Sequence, residues 1–186
     1  AMSHKRITIF VEDPGAANFI FPVLNDFVQA NWDIDLNAAG AAIPFLADRG
    51  ITAGVFPSNI NAIDYLETSG TDIVMVGTSE NPYTFAFVLT EAARKLGIPS
   101  IGFVDGPANT EYRFRGTSAE PLAHVTDWLI LTDNVTADRF RGLRHLDERM
   151  IVTGHPYYDT IPTEAARLRA MLPSEHRRLT LPDAPL

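Results

Sequence analysis

The residues best equipped for chemistry in this chain gather where apolar runs stop. Glu12 and Asp13 stand side by side in Glu12-Asp13-Pro14-Gly15-Ala16-Ala17-Asn18, directly after the apolar run 7–11. Adjacent carboxylates at the end of a strand suit general-base work, the removal of a proton from a hydroxyl or from carbon. The small residues that follow allow close backbone approach, and a helix start offers free N–H groups to an anion or a sugar oxygen, which makes Gly15 and Asn18 binding candidates. Thr78, Ser79 and Glu80 follow another apolar run, and Asp105 supplies a third carboxylate ahead of Gly106. In Tyr112-Arg113-Phe114-Arg115, aromatic rings alternate with guanidinium groups, a pattern suited to sugar stacking and phosphate pairing by Arg113 and Arg115. His155 stands between Gly154 and Pro156. Each of these residues also serves in plain turns and helix caps, and residues 112–115 equally describe an edge anchored on a core.

Several chemistries are excluded. The first loop is not Gly-x-Gly-x-x-Gly, so the dinucleotide fingerprint is absent, and no Gly-Lys-Ser/Thr marks a phosphate-binding Walker loop. The chain has no cysteine, and His155 has no second ligand at metal-binding spacing, so no metal site is expected. A phospho-receiver domain also fails. The third strand ends on Phe56-Pro57-Ser58 without a phospho-accepting Asp, and Asp105 stands where a receiver has Lys.

The elements that position these residues follow from hydrophobic period. Residues 6–11 form a near-continuous β-branched and apolar run, expected of a strand covered on both faces. Helical spacing covers 16–30, with Pro22 predicting either a kink or a later start. Strands follow at 33–39, 51–56, 72–77, 98–104, 128–131 and 150–153. Helices are expected over 41–49, from Ser58 or Asn59 through 66, over 81–96 and over 134–141. Seven strands alternating with helices predict a doubly wound, mostly parallel Rossmann-like α/β sheet. In such sheets ligands collect beyond the carboxyl ends of the strands, where Glu12, Asp13, Pro57-Ser58-Asn59, residues 78–81, Asp105 and His155 all fall. The connection 105–123 is the one long loop, a feature usually functional or mobile.

At 186 residues the chain can bury about 70% of its unfolded surface without disulfides or metals. Its net charge of −8 argues against non-specific nucleic-acid binding, which needs a positive field. No apolar run reaches the roughly 18 residues of a membrane span, and no signal peptide is visible. The absence of cysteine fits a reducing, cytoplasmic setting. Residues 1–5 read as a tag remnant or disordered start, 6–160 as the Rossmann-like domain, and 161–186 as a helix and linker toward a further domain.

The segment Val152-Thr153-Gly154-His155-Pro156, placed after this series of βα units, resembles the VTG(N/H)P element that closes the N-terminal domain of GT-B-fold glycosyltransferases and of related nucleotide-sugar 2-epimerases. The resemblance covers residues 6–160, by topology throughout and by sequence at the first loop and at the VTGHP element. It implies one half of a GT-B architecture, the acceptor side of an interdomain cleft in polysaccharide or glycoconjugate assembly. Its implied partners are a C-terminal nucleotide-binding domain and a sugar or glycoconjugate acceptor. It also implies a nucleotide-sugar donor as substrate, no cofactor, and work in the cytoplasm or at the inner-membrane surface. Asp13 or Glu12 would be the general base, and an epimerase half would use Asp105 as well for proton abstraction. His155 would sit near the interdomain cleft. A non-catalytic ligand-binding domain is the remaining alternative.

Overall fold

The computed structural model describes residues 5–171. Six parallel strands form one sheet in the order β2-β1-β3-β4-β5-β6. They are β1 (Lys5–Val11), β2 (Trp32–Ala38), β3 (Ile73–Gly77), β4 (Ser100–Val104), β5 (Trp128–Leu131) and β6 (Met150–Val152). The register runs Ile7↔Ile34 toward β2 and Ile9↔Met75 toward β3, so β1 pairs on both sides. Its residues from Ile7 to Val11 are all buried, as an uninterrupted apolar strand requires when helices cover both faces.

On one face, Ile7, Ile9 and Val11 meet α1 (Pro14–Ile20), α2 (Leu24–Gln29) and α3 (Ala42–Ala47). On the other, Phe10, Val74 and Val76 meet α4 (Ala62–Ser69) and α5 (Phe85–Leu96). A third cluster joins β5 to α6 (Asn134–Gly142) through Leu129, Leu131 and Phe140. Phe114 from the long loop is 1% exposed in that cluster. Each large apolar side chain buried in this way contributes about 1.5–3 kcal/mol before entropy is counted.

The helices begin where short polar side chains can bond the first free N–H groups. Asp13, Asn61, Thr84 and Asp133 each accept a backbone N–H at a helix start, worth about 1 kcal/mol apiece. Asn61, not Ser58 or Asn59, opens α4, and Thr84 delays α5 to Phe85. The helix expected over 16–30 is interrupted by a 3-10 turn at Phe21–Val23, because Pro22 has no N–H to continue the ladder. The last described helix, α7, spans Ile161–Met171. The remainder of the tail, expected as linker, lies outside the described residues.

The expected strand over 51–56 is not one, so the sheet has six strands and not seven. Only Gly54 engages β2: its N–H donates to Leu36 O at 2.8 Å, and its carbonyl accepts from Ala38 N at 2.8 Å. The Asn37 side chain fills the space a Cβ at Gly54 would take. Val55 then turns out, 62% exposed. Ile51 and Phe56 still pack against the core, but Gly54 weakens the interior of a strand and Pro57 has no N–H to extend the ladder.

Candidate active site at the carboxyl edge of the sheet

The connection from β1 leads to β2 on one side, while β3 lies on the other. The chain therefore reverses direction across β1, and a crevice opens between the loops after β1 and β3. A cavity of about 580 Å³ occupies it, lined by Glu12, Asp13 and Gly15 after β1, Gly40 and Ala41 after β2, Ser79, Glu80 and Asn81 after β3, and Asp105 with Arg113 after β4.

Glu12 is held by the β3 loop. Its Oε1 accepts from Asn81 Nδ2 at 2.5 Å and its Oε2 from Ser79 Oγ at 3.3 Å. Asp13 caps α1, with Oδ1 accepting from Ala16 N at 2.8 Å. Among the described residues nothing donates to its Oδ2. Burial raises the Asp13 carboxyl above its usual range, and the nearby Asp105 and Glu12 charges push the same way. The Ala16 N–H and Arg113 oppose them. The outcome is a carboxylate with one committed oxygen and heightened basicity, as a general base requires.

Asp105 reaches across from β4. Its Oδ1 accepts from Arg113 Nη1 at 2.9 Å, and its Oδ2 stands where a side chain on Gly15 would be. Gly15 is therefore fitted to the close approach of a carboxylate from its own fold. Gly77 plays the parallel part at the end of β3: a Cβ there would lie 2.5 Å from Ala16 Cβ, so its absence lets α1 settle on the sheet. Arg113 is 9% exposed. It also donates to Thr78 O at 3.4 Å, Thr78 Oγ1 at 3.3 Å and Ala108 O at 3.2 Å. Its planar fork thus ties the long loop to β3 and β4.

The predicted residues separate into two groups. Glu12, Asp13, Gly15, Ser79, Glu80, Asp105 and Arg113 are brought together. Thr78 is buried, its hydroxyl bonded to Phe103 O at 3.3 Å, and it supports the site from beneath. Asn18 is half-buried on α1 and does not line the cavity. Arg115 turns back on its own loop, donating to Ser118 O at 2.7 Å beside the Tyr112 ring. Pro57 and Ser58 belong to a different cavity. His155 accepts Tyr157 N–H at Nδ1, 3.2 Å away, and packs between Phe19 and Tyr158 with ring centroids at 5.1 and 4.9 Å. Burial holds its imidazole below the usual value, against the pull of the Asp105 charge. Its position is that of a structural cap bordering the site.

Sequence reasoning missed Gly40, Ala41 and Asn109. The first two lie in Ala38-Ala39-Gly40-Ala41-Ala42, a run of small residues after β2 that could have marked a ligand-facing edge. Asn109 holds φ +53, a left-handed conformation that Asn tolerates. Its side-chain amide donates to Glu80, fastening the long loop to the β3 loop. No group of metal-binding side chains occurs among the described residues, and no described helix is long and apolar enough to cross a membrane.

No family model matches the sequence, and no curated protein matches it. Solved structures do share its fold. The Staphylococcus aureus MnaA–UDP co-structure superimposes with a TM-score of 0.64 at 14% identity, covering 85% of this chain and 47% of that one. The UDP-GlcNAc 2-epimerase of Neisseria meningitidis bound to UDP-GlcNAc gives 0.63 at 16%, covering 89% and 50%. Acinetobacter baumannii MurG gives 0.56 at 16%, covering 81% and 45%. This chain thus spans about half the length of each, and it has the Rossmann-like α/β fold found in one half of these epimerase and GT-B glycosyltransferase molecules.

Proposed function

We propose that the chain is the acceptor-side domain of a GT-B-like enzyme that acts on nucleotide sugars in polysaccharide or glycoconjugate assembly. A nucleotide-binding domain would complete the cleft. The observation that carries this reading is the charge of the cavity: Glu12, Asp13, Glu80 and Asp105 line it against the single guanidinium of Arg113, already paired to Asp105. Asp13 and Asp105 also occupy the start of α1, where a phosphate would otherwise bind. Such a cavity repels a diphosphate and accepts hydrogen bonds from sugar hydroxyls. In transfer, Asp13 takes the proton of an acceptor hydroxyl as that oxygen bonds to the anomeric carbon, and the nucleoside diphosphate leaves with the electron pair of the broken bond.

A second reading, half of a nucleotide-sugar 2-epimerase, draws on two carboxylates that meet above Gly15, Asp13 after β1 and Asp105 after β4, and on the names of two matched structures. The two readings separate in a protein that carries this domain with its nucleotide-binding partner. With Asp13 as transfer base, Asp13→Asn lowers kcat about 10²–10⁴-fold with folding preserved. Incorporation of deuterium at sugar C2 in D₂O, without an acceptor, selects the epimerase. Near-normal turnover by Asp13→Asn sinks the base assignment.

A further inference from the structure

Beside the carboxylate cavity lies a second, smaller one of about 150 Å³. Phe10, Phe56 and Phe85 form its wall, with centroids 6.1 Å apart for Phe10–Phe56, 5.8 Å for Phe10–Phe85 and 4.9 Å for Phe56–Phe85. Ala38, Ala39, Val55 and Pro57 complete an apolar lining, with Ser58 as its one polar side chain.

The two cavities have no lining residue in common but are lined by adjacent residues of the same segments. Ala39 N–H donates to Val11 O at 3.0 Å, and Ala42 N–H to Glu12 O at 3.2 Å, so the small-residue run after β2 is pinned along the end of β1. Within that run Ala38 and Ala39 face the aromatic cavity, while Gly40 and Ala41 face the carboxylates. On the opposite side, Asn81 lines the first cavity and Phe85 the second, four residues on. The outer wall, Val55 to Ser58, belongs to the stretch that fails to form a strand, tied to β2 only through Gly54.

We propose that Phe10, Phe56 and Phe85 form an apolar subsite that takes a short alkyl or acyl branch of the ligand whose polyhydroxylated ring sits among the carboxylates. The occupant follows from size and chemistry. An apolar cleft of about 150 Å³ is large enough for a benzene-sized group. A sugar ring placed there would bury hydroxyls with almost no partner, at a cost that the adjacent carboxylate cavity avoids. The proposal rests on the sugar-binding reading and extends it to the substituent that the ligand carries.

The test is a binding series on the 186-residue chain with two probe pairs: methyl against butyl β-glucoside, and N-acetyl- against N-butanoyl-glucosamine. At least one pair is expected to bind more tightly with length, by about fourfold per added methylene. Ala39→Leu fills the subsite and should flatten that dependence while leaving methyl glucoside affinity unchanged. Val55→Ala, at an exposed wall position that folding tolerates, should shift the preference toward a still longer chain. Affinity independent of length in both pairs, or length dependence that survives Ala39→Leu, overturns the subsite and leaves the sugar-binding reading standing. Binding of benzene with no glycoside binding at all, followed by the Val55 methyl resonances, overturns both.

Discussion

Asp105 joins Arg113 to the first turn of α1: one carboxylate oxygen is 2.9 Å from the Arg113 guanidinium and the other occupies the space above Gly15. Two segments far apart in sequence, the start of α1 and the loop after β4, therefore meet on a single side chain. Gly15→Ala would normally gain helix stability, since Ala exceeds Gly by about 1 kcal/mol in a helix. Here the added methyl collides with Asp105, and we expect a net loss of about 1–3 kcal/mol, the usual cost of overpacking. Urea unfolding of Gly15→Ala in the native and Asp105→Ala backgrounds measures the coupling. An equal effect in both backgrounds contradicts the contact.

Arg113 anchors the long loop as well as its carboxylate. Replacing it with Met leaves Asp105, Thr78 and Ala108 without their donor, at an expected cost of about 2–3 kcal/mol for bonds to a charged group. Hydrogen exchange gives the local readout. In the native chain residues 112–117 should exchange faster than Ile73–Val76, and Arg113→Met should raise exchange at 108–113 while sparing β3. Protection of 112–117 equal to that of β3 contradicts the first expectation.

The central strands were legible because they are buried on both faces and read as near-continuous apolar and β-branched runs, as in β1 and β3. The carboxylates were legible because the carboxyl ends of such strands are where ligands gather. The irregular stretch around Gly54 was not, since Ile51, Val55 and Phe56 have strand character and a single Gly among them does not by itself rule out a strand. The orientations of Arg113 and Arg115 were also hidden. Two residues apart, they suggest one shared face, yet a 3-10 turn at Thr110–Tyr112 and the burial of Phe114 send them different ways.

Asp13 predicts a signed pH dependence. Its carboxyl is raised above 3.8 in the folded chain, so the protonated form favours folding. Stability from this group is present at low pH and is lost as pH rises through the folded value. Asn in its place still caps the helix and never ionises. Asp13→Asn should therefore be more stable than the native chain at neutral pH, with the difference shrinking toward about pH 3.5. Urea midpoints at both pH values check this, and a variant less stable at neutral pH contradicts the burial argument.

The most direct test of the central claim is a titration of the 186-residue chain with methyl glycosides and, separately, with UDP, followed by the backbone amide resonances of Gly15, Gly40 and Ser79. The account predicts that a glycoside moves these three resonances, that Glu12→Gln weakens the binding about tenfold, equivalent to about 1.4 kcal/mol, and that UDP leaves them in place. Movement of the same resonances by UDP, with none by any glycoside, would contradict it.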